Sequence, residues 1–199
     1  LACSLLSEVY LSTDDPAIAE VGGKCGLMVP FLRPPEISGD DSPSIDTALH
    51  LLDWLTETGR QQPDVLVLLQ PTSPLRTAEH ITEALRLLES TGADTVVSVV
   101  PVPHRYSPYS VMSLEEGRLV DFWKEPLLFD RFRRQSLPTL YARNGPAVLV
   151  SRCTVLRERY SFYGETTIPY TMSEADSIDI DTPFDLHVAE TALRMRESL

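Results

Sequence analysis

Two short, nearly unbroken apolar runs constrain this chain more than any other feature: Asp64–Leu69 (DVLVLL) and Asp94–Val100 (DTVVSVV). A run with no polar face reads as a strand buried on both sides. Between them Ile81, Ala84, Leu85 and Leu88 recur at helical spacing, with Thr77 placed to cap the helix and Gly92 to close it. Buried strand, amphipathic helix, buried strand is the rhythm of a parallel sheet flanked by helices. The rest of the chain fits around it. Glu8–Thr13 and Leu27–Leu32 read as extended, with a short helix opened by Pro16 between them. A longer helix starts at Ser42-Pro43, carries Ile45, Ala48, Leu49, Leu52 and Leu55 on one face, and ends at Gly59. Ala147–Ser151, Thr166–Met172 and Ser177–Ile180 are further extended pieces. Thr182-Pro183-Phe184-Asp185 reads as a capping box opening a last helix.

Residues 101–146 break the rhythm. They hold six of the 16 prolines and only short extended pieces, such as Tyr109–Met112 and Gly117–Trp123. We read them as an excursion from the sheet, a small subdomain or an arm.

Charge limits the partners. The chain carries 17 Lys and Arg against 29 Asp and Glu, a net charge of −12. That balance lacks the basic footprint of a nucleic-acid binder. Only Lys24 and Lys124 of the 17 bases are lysines, and arginine suits bidentate recognition of phosphate or carboxylate. No apolar run approaches the length of a membrane span. Cys3, Cys25 and Cys153 form no CxxC pair and no disulfide framework, which predicts a reducing cytoplasmic setting. The chain shows no signal peptide, and it opens on Leu1 rather than Met, so the natural protein is expected to be longer at its amino end.

Three stretches could carry chemistry. Gln70-Pro71-Thr72-Ser73-Pro74-Leu75-Arg76 follows the first buried strand directly. In open α/β sheets ligands bind outside the carboxyl ends of strands. Gln70 could read a base or sugar and Arg76 an anion, or the loop is simply a rigid strand-to-helix turn. Ser177-Ile178-Asp179-Ile180-Asp181 places two carboxylates two residues apart, on one face of an extended segment. Such a pair suits Mg²⁺, which takes one or two carboxylates and completes its shell with water and phosphates; a solvated strand edge before a helix would also carry them. Arg133-Arg134-Gln135 with Arg143-Asn144-Gly145 is the most basic stretch, suited to a carboxylate-bearing, hydroxyl-rich ligand or to plain solvation. The four histidines have no metal spacing and read as surface or helix-face residues.

In order along the chain stand STDDPAIAEVGGKCG, VPFLRPPEISGDDSPSID, LLQPTSPLRTAEHI, DTVVSVV, RRQSLPTLYARNGPAVLV and DSIDIDTPFDLHVAE. Together they resemble the acylneuraminate cytidylyltransferase (CMP–sialic acid synthetase) family over nearly the whole length. QPTSPLR, RRQSLP with YARNG after it, and SIDIDT are the most specific pieces. The resemblance implies an α/β fold with a three-layer, mainly parallel sheet, the nucleotide-diphospho-sugar transferase (GT-A-like) fold. It implies one cytidylyltransferase domain over residues 1–199 with a dimerisation arm at 101–140. The implied reaction joins CMP from CTP to a nine-carbon 2-keto acid sugar and releases pyrophosphate, with Mg²⁺. Legionaminic or pseudaminic acid is an alternative to sialic acid within the class. A non-catalytic binding or dimerisation homologue is the alternative outside it.

The resemblance also assigns residues. Asp179 and Asp181 match the metal-binding, catalytic aspartates. Arg33 and Ser44 match positions at the nucleotide and Gln70 a position at the sugar. Arg134 and Gln135 match a loop offered to the sugar acid by the partner of a homodimer. Asn144 and Gly145 match a motif lining the site, and Phe162-Tyr163 an aromatic pair near the acyl group. The chain departs from the pattern in three places. It has no A-R-x-x-S-K-G loop to hold the triphosphate, so these 199 residues alone are expected not to turn over CTP. Tyr109 stands where some members have a lysine, and Pro146 follows Asn144-Gly145 in place of alanine.

Overall fold

A computed structural model of the chain describes residues 2–124 and 137–197. The order of elements is α1 (Pro16–Lys24), α2 (Ser44–Glu57), β1 (Val65–Leu68), α3 (Ala78–Thr91), β2 (Thr95–Pro101), β3 (Met112–Glu115), β4 (Arg118–Asp121), β5 (Tyr141–Arg143), β6 (Leu149–Arg152), α4 (Cys153–Arg159), β7 (Thr167–Thr171) and α5 (Pro183–Glu197).

The central sheet runs β1-β6-β2-β5, with β7 also on β2. β2 is the spine, and its side chains alternate between two layers. Val97 and Val99, with Leu149 of β6, face Leu52 and Leu55 of α2 and Leu156 of α4. Val96, with Val148 and Val150, faces Ile81, Ala84 and Leu88 of α3. A strand covered on both faces must be apolar throughout, which is why β2 reads as a continuous run. The result is helix, sheet, helix.

Strand direction departs from the sequence expectation of a mainly parallel sheet. β1, β2 and β7 do share a direction, and β2–β7 is a parallel pair. β6 lies between β1 and β2 and runs against both. The cause is the excursion. The chain leaves β2 at its carboxyl edge and comes back to the same edge, so the strand it re-enters must run the other way. β5 closes the base of the excursion on β2, with Val102 N–H donating to Leu140 O at 2.8 Å. Beyond it, β3 and β4 form a hairpin whose turn residues Glu116 and Gly117 have φ of 49° and 79°, the twist a two-residue hairpin turn prefers.

The amino-terminal segments 8–13 and 27–32 are extended as expected but meet only at two parallel bridges, Tyr10–Met28 and Thr13–Leu32. Two turns of helix, α4, were not legible. Seven residues are too few to show a period, although Cys153, Val155 and Leu156 are buried. Ser177–Ile180, expected as a strand, belongs to no ladder.

The caps behaved as their chemistry requires. Thr77 accepts from His80 N–H at 3.4 Å, and His80 Nδ1 accepts from Thr77 N–H at 3.1 Å. Histidine thus does the work usually given to glutamate in a capping box, so His80 is no idle surface residue. At α5, Thr182 Oγ1 donates to Asp185 Oδ2 at 2.7 Å and Thr182 N–H to the same oxygen at 2.8 Å. The Thr182 hydroxyl, aided by its backbone N–H and that of Asp181, holds the Asp185 carboxyl below the ordinary carboxylate range. A depressed folded-state pKa contributes stability above the unfolded value and loses it as pH falls through the folded one. The stability gap between wild type and Asp185→Asn, read from urea midpoints, is therefore expected to be full at neutrality and to close in acid.

Candidate active site

The register fixes where loops gather. Leu149, at the start of β6, lies opposite both Leu68 at the end of β1 and Val97 of β2, and β7 ends opposite Val99. The loops 69–76, 144–148 and 172–182 therefore emerge at one edge of the sheet. This is the edge where open α/β sheets bind ligands, and all three were singled out by sequence.

Asn144 ties the second and third of these loops to β2 and is 5% exposed. Its Oδ1 accepts from Ser98 Oγ at 2.6 Å and from Ala147 N–H at 3.4 Å, while its Nδ2 donates to Ser177 Oγ at 2.8 Å. Ser98 Oγ in turn accepts from Val148 N–H at 2.8 Å. So Asn144 does not offer its amide to a ligand; it spends it on β2, the β6 entry and the 177–181 segment. Asn144→Leu should lower stability by at least ~3 kcal/mol, since each buried polar group left unpaired costs about 1–3 kcal/mol. Chemical denaturation checks this.

Gly145 has φ of +116°, and a Cβ built on it would lie 2.9 Å from Ser73 Oγ and 3.3 Å from Asp179 Oδ2. The glycine therefore lets the first loop and the aspartate segment close around one point. Ile180 N–H donates to Thr72 O at 2.9 Å and completes that closure. At this point two polar atoms are buried and unpartnered among the described residues: Ser73 Oγ and Asp179 Oδ1. Ser73 is 1% exposed. Asp181 is exposed.

Arg76, considered above as an anion ligand, is a staple instead. Its Nη1 donates to Gln70 O and to Ala147 O, each at 2.8 Å. Burial lowers its pKa from the usual guanidinium value. Gln70 is half-buried, and its backbone is fixed by Arg76.

Arg33 and Ser44 form a second group. Arg33 Nη1 donates to Thr47 Oγ1 at 3.3 Å, Nε to Ser38 Oγ at 3.1 Å, and Nη2 meets Asp14 Oδ1 at 3.1 Å. Ser44 is the exposed first residue of α2, whose amino end has no side-chain cap. Uncapped amides and a neighbouring guanidinium favour an anion, although Asp14 offsets part of the charge.

The aromatic pair divides. Phe162 is 8% exposed within the α2–α4 core, and its carbonyl accepts from Thr95 Oγ1 and Ser151 Oγ. It is a core residue, correcting the expectation that it faces a ligand. Tyr163 is half-buried, and its hydroxyl accepts from Arg143 Nη1 at 3.2 Å with the guanidinium 5.5 Å over its ring. Arg134 and Gln135 lie outside the described residues.

No group of three or more His, Cys, Asp or Glu among the described residues could hold a metal unaided. Asp179 and Asp181 supply oxygen only, and one oxygen of Asp179 is buried without a partner. That donor set fits Mg²⁺, provided a nucleotide and water complete the shell.

No family profile matches the chain. The chain is 34% identical over 203 aligned positions to the CMP-N,N'-diacetyllegionaminic acid synthase of Legionella pneumophila, covering 99% of this chain and 82% of that protein. The chain belongs to the acylneuraminate cytidylyltransferase family. Another member, the N-acylneuraminate cytidylyltransferase of Streptococcus agalactiae serotype V, is 36% identical over 183 residues. That match covers 91% of this chain but 41% of the Streptococcus protein, so the chain spans about two fifths of that relative's length. Among solved structures, the CMP:2-keto-3-deoxy-manno-octonic acid synthetase complexed with CTP superposes with a TM-score of 0.60 at 13% identity, covering 100% of this chain and 84% of that one. The fold of this acylneuraminate cytidylyltransferase family member is thus the nucleotide-diphospho-sugar transferase fold.

Ser73, Ser98 and the stapling role of Arg76 were missed by sequence reasoning. Ser98 could have been found: a hydroxyl in the middle of TVVSVV, on a twice-covered strand, demands a buried partner.

Proposed function

We propose that the chain carries the transferase site of a cytidylyltransferase that joins CMP from CTP to a nonulosonic acid. The anomeric hydroxyl of the sugar gives its proton to solvent and its oxygen bonds to the α-phosphorus of CTP, while the bond from that phosphorus to the bridging oxygen breaks and pyrophosphate leaves. The observation that carries this reading is Asp179, held beside Gly145 at the ligand edge of the sheet with one carboxylate oxygen buried and unpaired. Asp179 and Asp181 hold Mg²⁺. When bound, it neutralises phosphate charge that a chain at −12 would otherwise repel. Arg33 and the amino end of α2 receive the nucleotide. The Gln70 amide reads sugar hydroxyls, and Asn144 and Gly145 hold the site's walls at the right spacing. Tyr163, with Arg143 on its face, borders the acyl end of the sugar. Arg134 and Gln135 meet the sugar's carboxylate.

Pyrophosphate release from CTP with Mg²⁺ tests the reading. N-acetylneuraminate and N,N'-diacetyllegionaminate are the acids to compare. Release with neither, by a folded protein that contains this chain, would reject it.

We also propose that residues 101–140 form an arm that joins two copies in a twofold dimer. The hairpin exposes Leu114 at 72%, Leu119 at 67% and Phe122 at 60%, and Leu114 lies directly opposite Leu119. Apolar patches of this kind are uncommon on a monomer's surface, and a twofold pair would cover them. Light scattering at micromolar concentration should give a dimer. The same protein with Leu114→Glu and Leu119→Glu should give a monomer. The three cysteines are free, which fits a reducing cytoplasmic setting; burial pushes the Cys153 thiol up to about 11. No helix among the described residues is long and apolar enough to cross a membrane.

A further inference from the structure

The segment that carries Asp179 and Asp181 has no strand partner, so its position depends on individual contacts. Asn144 Nδ2 holds Ser177 Oγ, and Thr72 O holds Ile180 N–H. The remaining anchors come from α5. At the helix's first turn, Asp185 accepts from the N–H groups of Asp181 and Thr182 at 3.3 and 2.8 Å. At its last turn, Arg196 reaches back to the same segment. Its Nη1 donates to Leu75 O at 2.7 Å, and its Nη2 pairs with Asp176 Oδ1. Asp185 and Arg196 are separated by roughly 16 Å of helix. The five steps from Asp176 to Asp181 span at most roughly 17 Å of extended chain. α5 thus holds the segment near both of its ends.

We propose that Arg196 is a positioning residue for the metal-holding carboxylates, an inference that rests on the reading of Asp179 and Asp181 above. One guanidinium joins the Gln70–Arg76 loop to the entry of the aspartate segment. It sets the spacing at which Asp179 meets Ser73 and Gly145. The chemistry requires arginine: two coplanar donors satisfy a carbonyl and a carboxylate at once, where an ammonium acts as a single point charge. The pair is shielded, with side chains 34% and 27% exposed, so solvent screens it less than a surface pair. The other oxygen of Asp176 accepts from Ser173 Oγ at 2.7 Å and has His80 Nε2 at 3.8 Å, so the carboxylate itself is fixed. On the same helix, Arg194 pairs with Glu190 at 3.4 Å in the open, at 76% and 47% exposure. It serves as the control.

Mn²⁺ binding to the intact protein, followed by calorimetry with the metal alone and with CTP, is the direct readout. Arg196→Gln is expected to weaken Mn²⁺ binding about tenfold, the lower end for losing a residue that orients a metal ligand. It should raise the Mg²⁺ needed for half-maximal pyrophosphate release by a similar factor, with kcat at saturating Mg²⁺ largely kept. Asp176→Asn should do the same, and the double variant should lose little more. Arg194→Gln should bind Mn²⁺ normally. If Arg196→Gln does not fold, Arg196→Lys keeps the charge and should show part of the loss. Normal Mn²⁺ affinity in the folded Arg196 variant, with or without a lower melting temperature, overturns the inference while Asp181→Asn still loses the metal. Normal Mn²⁺ affinity in Asp181→Asn overturns the metal reading beneath it.

Discussion

Asp181→Asn is expected to cut cytidylyl transfer by about 10²–10³-fold, the scale on which losing one preorganised electrostatic contact to a reacting group is felt. The side chain is exposed and accepts no hydrogen bond from another described residue. Its loss should therefore leave the fold and the melting temperature close to wild type. The backbone contact that matters to α5 is made by the Asp181 N–H to Asp185, and asparagine keeps it. The variant thus separates function from folding more cleanly than Asp179→Asn would. Asp179 is half-buried beside Gly145, and changing it would disturb packing too. Pyrophosphate release at several Mg²⁺ concentrations is the measurement. Full turnover at ordinary Mg²⁺ would remove Asp181 from the metal site.

Gly145→Ala is expected to damage folding and transfer together. Two costs coincide. At φ of +116° an alanine is strained, a penalty of order 1–3 kcal/mol. Its Cβ would also sit 2.9 Å from Ser73 Oγ and 3.3 Å from Asp179 Oδ2. Those neighbours cannot simply yield. Ser73 is fully packed, and Asp179 is tethered through Ile180 to Thr72. The aspartate segment must move outward, away from the Gln70 loop. The expected result is a melting temperature lowered by several degrees, together with near-complete loss of transfer. A variant with wild-type turnover would show that Ser73 and Asp179 need not be close.

What could be read in the sequence followed from periodicity and from punctuation. VLVLL and TVVSVV declared twice-covered strands because nothing polar in them could face water. Thr77, Gly92 and Thr182 marked helix ends because their side-chain or backbone chemistry has few other uses. The aspartates at 179 and 181 stood out because two like charges so close need a reason. Other features were hidden for reasons equally physical. The reversal of β6 is a property of where an excursion ends, and no local pattern encodes it. Phe162 next to Tyr163 cannot reveal which ring turns inward, since that depends on α4, an element too short to announce itself. Arg76, Arg143 and Arg196 are chemically identical letters. Only distance shows that the first staples two carbonyls, the second lies on an aromatic ring and the third spans two segments. The family resemblance carried residue assignments that the residues alone had left open.

The bond from Val102 to Leu140, together with the β2–β5 pairs, turns residues 103–139 into a loop with a fastened mouth. A loop closed at its base decouples what happens outside from what happens inside. Lengthening it costs little, about 0.6 kcal/mol for each doubling. The sheet registers only the clasp and not the contents. Substitutions and insertions in the outer hairpin can therefore accumulate without shifting Ser98 or Asn144 by a single register position. The hairpin face proposed to join two copies and the seam that holds Ser98 and Asn144 are, in this architecture, separately adjustable: one lies in the outer β3–β4 pair, the other where the loop closes.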